Sequence, residues 1–213
     1  MNDPEILKLA AENAKRLDAA ALSRCTEFTQ DDLLAIAKIE SLESVSFIGG
    51  DFESYEPLAA LPNLTKLAIN HWSTSDLSSV GSIVQLRELD LGENEQYKDI
   101  QFVSKLKNLE SLRLTDGRFS DLSPLAGLTK LRKLDLMNCC AVTDASPLEH
   151  LLNLEELNLC ATGITTIVSL VEHSKLSFLD IRGTDIADLS PLAGTGLSKG
   201  LKLDDDKQYL NRP

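Results

Sequence analysis

Leucine recurs along this chain at intervals of 22 or 23 residues, and this spacing limits the possible fold more than any other feature of the sequence. Seven copies of one motif follow each other without a break. They begin at Leu42, Leu64, Leu86, Leu109, Leu131, Leu154 and Leu176. A unit of this length cannot bury its own apolar edge, so the stacked copies must share one continuous core.

The copy at 109–130 shows how one unit folds. Numbered from its first leucine, it places apolar residues at positions 1, 4, 6, 11, 14, 17 and 20. Its first part, LxxLxL, predicts a short strand with one buried face. Gly117 is expected to supply backbone freedom where the chain leaves that strand, and Asp121 to hold the adjoining loop. Ser123-Pro124 suits an N-cap and the first residue of a short helical turn.

The run D-L-S-P-L-A-G-L at 121–128 returns in part at 144–148 and 188–194. This pattern resembles the leucine-rich repeat family, and within it the internalin-like bacterial subclass. The resemblance implies an α/β fold: a curved solenoid with a parallel β-sheet on its concave face and short helical turns on its convex side. Many repeats of that family carry Asn at position 9, where this chain has only Asn94, so we expect no continuous asparagine ladder. Thr and Cys can make similar, weaker hydrogen bonds there.

Three segments are predicted. Residues 1–41 form a helical N-terminal cap that merges into the first coil, because helix-start signals at 3–5 and 29–32 precede apolar residues at helical spacing. Residues 42–203 hold seven full repeats and a partial eighth, with an eighth strand at Leu201 and Leu203. Residues 204–213 form an acidic C-terminal tail.

The net charge of −12 argues against binding to nucleic acid or to anionic membranes and favours a protein partner with a basic surface. The sequence has no apolar run long enough to span a membrane and no basic stretch followed by an apolar core at its N-terminus. It therefore predicts a cytoplasmic protein, or one exported without a cleaved signal peptide. The four cysteines have no framework spacing, which favours reduced thiols.

Residues capable of catalysis or metal binding are scattered rather than grouped. His71, His150 and His173 occupy different positions in different repeats, so no metal site and no cofactor is expected. A cysteine-dependent enzyme using Cys139, Cys140 and His150 is a remote alternative. The main expectation is that the protein is not an enzyme.

The predicted binding surface combines the outward side chains at positions 3, 5 and 7 with the loops that follow the strands. At position 5, Arg113 lies between Asp90 and Asp135, which fits a self-satisfied ladder and a docking face equally well. The other candidate binding residues are apolar Met137, Cys160 and Phe178, charged Asp180 and Arg182, and Trp72 in a loop. An apolar centre with charged surroundings is typical of a binding hot spot.

These observations predict a non-enzymatic module that binds a partner protein through the concave sheet and the adjoining loop rim. The alternative is a stoichiometric inhibitor or immunity protein for a basic toxin or enzyme, suggested by the small size and the charge of −12. The sequence indicates neither the partner's identity nor the oligomeric state.

Overall fold

The computed structural model describes residues 16–18, 29–48, 52–70, 76–93, 97–195, 197 and 200–203. Within these ranges the chain builds one sheet of nine parallel strands, in which each strand pairs with the next in sequence. The strands are β1 Arg16–Asp18, β2 Ser44–Ile48, β3 Lys66–Asn70, β4 Glu88–Asp90, β5 Ser111–Arg113, β6 Lys133–Asp135, β7 Glu156–Asn158, β8 Phe178–Asp180 and β9 Leu201–Lys202. Strand β9 is the predicted partial eighth repeat.

Helical turns return the chain between the strands. The α-helix α1, Gln30–Ile36, leads into β2, and a short 3-10 helix follows each strand from β2 to β8. The 3-10 helices are Glu56–Ala60, Ser78–Ser82, Gln101–Lys105, Ser123–Leu125, Ser146–Leu148, Val168–Leu170 and Ser190–Gly194. The predicted convex helical turns are thus confirmed, and each is short enough for the tighter 3-10 winding.

The register places equivalent residues side by side along the whole sheet. Leu112, at position 4 of its repeat, pairs with Leu89 on one side and Leu134 on the other. The residues at positions 1, 4 and 6 of the seven repeats are buried in one continuous core. The curved parallel solenoid predicted from the leucine spacing is therefore confirmed.

The N-terminal segment agrees with the prediction in one part and differs in another. Helix α1 begins as expected: the backbone N–H and the hydroxyl of Thr29 both donate to the Asp32 carboxylate, at 2.9 Å each, and Leu33 and Ile36 are buried. Leu17 lies in strand β1, where a helix was predicted. That prediction is wrong for Arg16–Asp18, because pairing with the open edge of β2 outweighs helical periodicity.

The turns into the 3-10 helices are held by aspartate at position 13 rather than by the predicted serine cap. The Oδ1 atom of Asp121 accepts a hydrogen bond from the Ser123 N–H, and the same contact recurs in other repeats at 2.7 to 2.9 Å. Hydrogen bonds from the following serine lower the pKa of Asp76, Asp144 and Asp188. In the first repeat, the Ser54 hydroxyl accepts from the Glu56 N–H in the same way.

The left-handed residue in the loops after strands β4 to β8 lies at position 8, one residue before the predicted site at Gly117. Positive φ angles occur in five consecutive repeats, at Glu93, Asp116, Asn138, Ala161 and Gly183, with values from 54° to 66°. Gly117 is required for a different reason, since a Cβ atom there would overlap the Phe119 ring. The expectation for Gly117 was therefore wrong about its role.

The left-handed residues at position 8 lead to two matched predictions about stability. Gly183→Ala should lower the free energy of unfolding by about 1 to 2 kcal/mol, because φ at this residue is 66° and an alanine there is strained. Ala161→Gly should raise it by about 0.5 to 1 kcal/mol, since relief of strain at φ 54° exceeds the added entropy of the unfolded chain. Urea denaturation of both variants measures the two effects. Changes of the same sign would contradict this account.

An amide ladder at position 22, just before each strand, was not anticipated from the sequence. The side-chain amides of Asn63, Gln85, Asn108 and Asn153 donate to backbone carbonyls of the preceding coil at 2.7 to 3.0 Å. Where Lys130 and Lys175 occupy this position, each donates to the asparagine one coil earlier. The recurrent Asn-Leu pair in the sequence is the signal that could have revealed it.

In the described repeats, Cys and Thr at position 9 make hydrogen bonds in place of the asparagine that is common in the family, as expected. The Cys139 thiol donates to the Leu114 carbonyl at 3.0 Å, and the Thr162 and Thr184 hydroxyls donate within their own coils. Asn94 and the predicted tail at 204–213 lie outside the described residues.

Candidate binding face

The concave face consists of the outward side chains of strands β2 to β8, at positions 3, 5 and 7 of each repeat. Its charged residues pair across neighbouring strands. At position 3, Lys66 contacts Glu88 and Lys133 contacts Glu156, each at 2.7 Å. Both pairs are about half exposed, so each contributes at most about 1 kcal/mol to stability.

The residues at position 5 form a chain of three charges. Arg113 Nη1 lies 3.3 Å from Asp90 Oδ2, and Arg113 Nε lies 3.8 Å from Asp135 Oδ2. The guanidinium occupies space left open by Gly92, where a Cβ atom would lie 3.0 Å from Arg113 Cζ. The predicted bridge between the two aspartates is present, and the role of Gly92 was missed.

Position 5 also has a structural task at the end of each strand. Asp135 Oδ1 accepts the Met137 N–H at 3.0 Å, and Asp90, Asn158 and Asp180 accept the N–H two residues later in the same way. Burial raises the pKa of Asp135, with a smaller rise from the Asp90 charge, while the Met137 N–H, Arg113 and Asn158 act in the opposite direction. The Asp135 charge is therefore incompletely compensated.

Two shallow grooves cross the concave face and meet at Arg113. The N-terminal groove, about 350 Å³, runs over β2 to β5 and has small side chains at its floor, among them Ser46 and Ala68. The C-terminal groove, about 260 Å³, runs over β5 to β8 and is lined by Arg113, Asp135, Asn158 and Phe178. The sheet thus brings three of the predicted site residues, Arg113, Asp135 and Phe178, to one cavity.

The comparisons with known proteins agree with this architecture. Residues 107–150 match the family model described as leucine rich repeats in two copies. The structure is similar to an internalin (inlF) from Listeria monocytogenes, with 26% sequence identity and a TM-score of 0.68, over 80% of this chain and 50% of that one. The chain has the leucine-rich repeat fold and is similar to internalin-type proteins.

Two further structures are similar to this leucine-rich repeat protein. An internalin C2 (inlC2) from Listeria monocytogenes has 24% identity and a TM-score of 0.70, over 83% of this chain and 76% of that one. A chain of the mouse RP105/MD-1 complex has 25% identity and a TM-score of 0.65, over 81% of this chain and 32% of that one. The repeat protein spans half the length of the inlF chain. Comparison with curated proteins gives no match.

The apolar candidates of the repeat protein are less exposed than the sequence suggested. Met137, Cys160 and Phe178 are half-buried, since neighbouring coils cover part of each side chain. Of the described large apolar residues, those most exposed are Leu34, Ile48, Val84, Leu152, Val168 and Val171. Among these only Ile48 lies at a concave position, so the apolar centre of the concave face is smaller than expected.

The sequence predicted Asp180 as one of the exposed charges around the apolar centre, and this prediction is wrong. Its carboxylate is buried, because the Arg182 guanidinium folds over it with Nε 3.0 Å from Oδ1 and 3.1 Å from Oδ2. Arg182 is half exposed and presents the pair to solvent. Trp72, the candidate in the loop after β3, lies outside the described residues, as do His71 and the insertion at 95–96.

The surroundings of Cys139, Cys140 and His150 bear on the remote alternative of a cysteine-dependent enzyme. Burial raises the pKa of the Cys139 thiol to about 12, so a thiolate nucleophile is disfavoured there. The Cys140 thiol donates to the Ala161 carbonyl, and His150 is exposed after the 3-10 helix Ser146–Leu148. These contacts give no support to a Cys–His pair.

The described residues contain neither a cluster of metal-ligating side chains nor a membrane-spanning helix. No group of three or more His, Cys, Asp or Glu side chains there is arranged to hold a metal ion. Within the same ranges, no helix combines the length and apolar character needed to cross a membrane.

Proposed function

We propose that this leucine-rich repeat protein is a non-enzymatic interaction module that binds a partner protein through the concave face and the adjoining loop rim. The observation that carries the proposal is the C-terminal groove, where Arg113, Asp135 and Phe178 combine two charges with an aromatic ring. Interfaces gain most of their energy from a few aromatic and charged side chains of this kind. The mouse RP105/MD-1 complex, whose chain is similar in fold, is an assembly of more than one protein.

The rigidity of the groove also favours a binding role. Its residues project from successive strands of one hydrogen-bonded sheet, in a fixed register. Their backbones are therefore ordered before a partner arrives, and association costs less conformational entropy than on a mobile loop.

A double substitution tests whether a captured partner uses this face. Met137→Ala with Phe178→Ala should weaken binding by about 1 to 4 kcal/mol, because both side chains lie at the concave surface. A pull-down with mass spectrometry supplies the partner, and titration calorimetry measures the affinity. The matched control is Val168→Ala with Val171→Ala, which removes two convex apolar side chains that are 63% and 52% exposed.

The control should leave binding unchanged. Because Met137 and Phe178 are half-buried, the concave variant should lose some stability, so both affinities are measured at a temperature where circular dichroism shows a folded chain. Full affinity in the concave variant, together with loss of affinity in the convex variant, would place the site on the opposite face.

A second candidate function is stoichiometric inhibition of a basic toxin or enzyme. The specific support is electrostatic: the net charge is −12, and the position-13 aspartates repeat along one edge of the solenoid. Such a field speeds the association of a basic partner. Moderate salt should then slow association more than it speeds dissociation, as measured by stopped-flow mixing with the captured partner. Salt-independent association would argue against this candidate.

A further inference from the structure

The C-terminal groove contains an acidic group that its neighbours compensate only in part. Arg113 serves two carboxylates, and its guanidinium lies closer to Asp90, at 3.3 Å, than to Asp135, at 3.8 Å. The longer distance exceeds that of a hydrogen bond. Oδ1 of Asp135 accepts the Met137 N–H, Oδ2 is the atom that lies 3.8 Å from Arg113 Nε, and the residue lines the groove. The three-charge group therefore keeps an excess negative charge on the groove floor.

The nearest basic side chain at position 3 is already used. Lys133 Nζ lies 2.7 Å from Glu156 Oε1, so this ammonium neutralises a carboxylate on the next strand. The basic side chains that line the groove in the described part of the chain, Arg113 and Lys133, are thus both already paired. The half-buried position of Asp135 strengthens its attraction for a cation relative to that of a fully solvated carboxylate.

The opposite side of the groove is aromatic. Phe178 lines the same cavity from β8, two strands away from β6, which carries Asp135. Phe178 is also two residues out of register with Asp135, so a strand spacing of about 4.8 Å and a rise of about 3.3 Å per residue place their Cα atoms about 12 Å apart. Asn158 of β7 lies between them. A long side chain with an apolar stem and a cationic end suits this arrangement, because the stem can contact Phe178 and the cationic end can contact Asp135.

We propose that the C-terminal groove receives an arginine side chain of the partner protein, with the guanidinium on Asp135 and the stem against Phe178. This inference rests on the proposed function and specifies the chemistry of the partner. Arginine fits better than lysine, because its planar fork can donate two hydrogen bonds to one carboxylate and is more weakly hydrated than an ammonium.

The direct test is an NMR titration of the full chain with the peptide acetyl-Gly-Arg-Gly-amide. The backbone N–H groups of Met137 and Cys160 report on the groove, because they donate to Asp135 and Asn158. The arginine peptide should shift both signals. The matched peptide with citrulline, which has the same shape without the charge, should shift neither.

Two variants locate the contact. Asp135→Asn keeps the oxygen that accepts the Met137 N–H, so the fold is retained, and it should weaken binding of the arginine peptide by about tenfold or more. Asp90→Asn should also weaken it, because Arg113 is then released to pair with Asp135. Glu172→Gln, an exposed carboxylate after the 3-10 helix Val168–Leu170, is the control of equal charge change and should have no effect.

Four results would overturn the inference: no shift with the arginine peptide, equal shifts with citrulline, equal binding by a lysine peptide, or full binding by Asp135→Asn. They are distinguishable from failure of the proposed function. A captured partner that loses affinity in the Met137 and Phe178 double variant but not in Asp135→Asn would keep the concave face as the interface and reject the arginine contact.

Discussion

Leu112→Ala should lower the free energy of unfolding by about 2 to 5 kcal/mol, whereas Arg113→Ala should lower it by less than about 1 kcal/mol. The two residues are neighbours on β5, but Leu112 is buried in the shared core and Arg113 points to the concave face. Truncating the leucine removes buried apolar surface and leaves a cavity between coils. Truncating the arginine removes two ion pairs that are partly exposed to water.

Chemical denaturation of the two variants measures this difference. Each side chain is cut back to the same methyl group on the same strand, so the backbone environment serves as its own control. Equal losses of stability would mean that the inner and outer faces of the sheet had been assigned incorrectly.

His173→Leu should remove an acid-dependent loss of stability. His173 is fully buried at position 20, and its Nε2 lies 3.2 Å from the Leu148 carbonyl oxygen. Burial lowers the pKa of His173 below its ordinary value of 6.5, because the charged ring is poorly solvated. Below pH 6.5 the unfolded chain therefore binds more protons than the folded chain. The stability of the native protein falls by up to about 1.4 kcal/mol per pH unit until the folded-state pKa is reached.

Leucine fits the site, because position 20 is a buried leucine in other repeats, such as Leu128 and Leu151. The measurement is the difference in unfolding free energy between the variant and the native chain from pH 8 to pH 5. This difference should be constant above pH 7 and should grow in favour of the variant below pH 6.5. A difference independent of pH would show that His173 is protonated equally in both states.

The buried half of each coil could be predicted because it depends on a short and strict pattern. Leu112 and Leu114 must both point inward once LxxLxL forms a strand, since side chains alternate along an extended backbone, and Leu109 is buried at the turn before that strand. The 22- or 23-residue period then brings each leucine beside its equivalent. Pairing of β1 with β2 was missed, because the apolar spacing around Leu17 also fits a helix.

The candidate binding residues could be assigned to a face but not to their contacts. Placement of Asp90, Arg113 and Asp135 side by side followed from register alone. Burial of Asp180 did not, because it depends on the conformation of Arg182, a long side chain with many rotamers. The amide ladder at position 22 was missed for a related reason, since each amide bonds to a carbonyl 23 or 24 residues earlier.

The sequence by itself determined the coil period, the strand at the start of each coil and the division of its side chains between core and surface. The physical reason is that burial of leucine contributes about 1.5 to 3 kcal/mol to stability at each position, and no other register buries all of these side chains away from water. Only the tertiary structure decided how the polar residues of the concave face share their partners. Alternative pairings there differ by less than about 1 kcal/mol, so the repeat pattern leaves the choice open, and only the structure shows that Arg113 lies nearer to Asp90 than to Asp135.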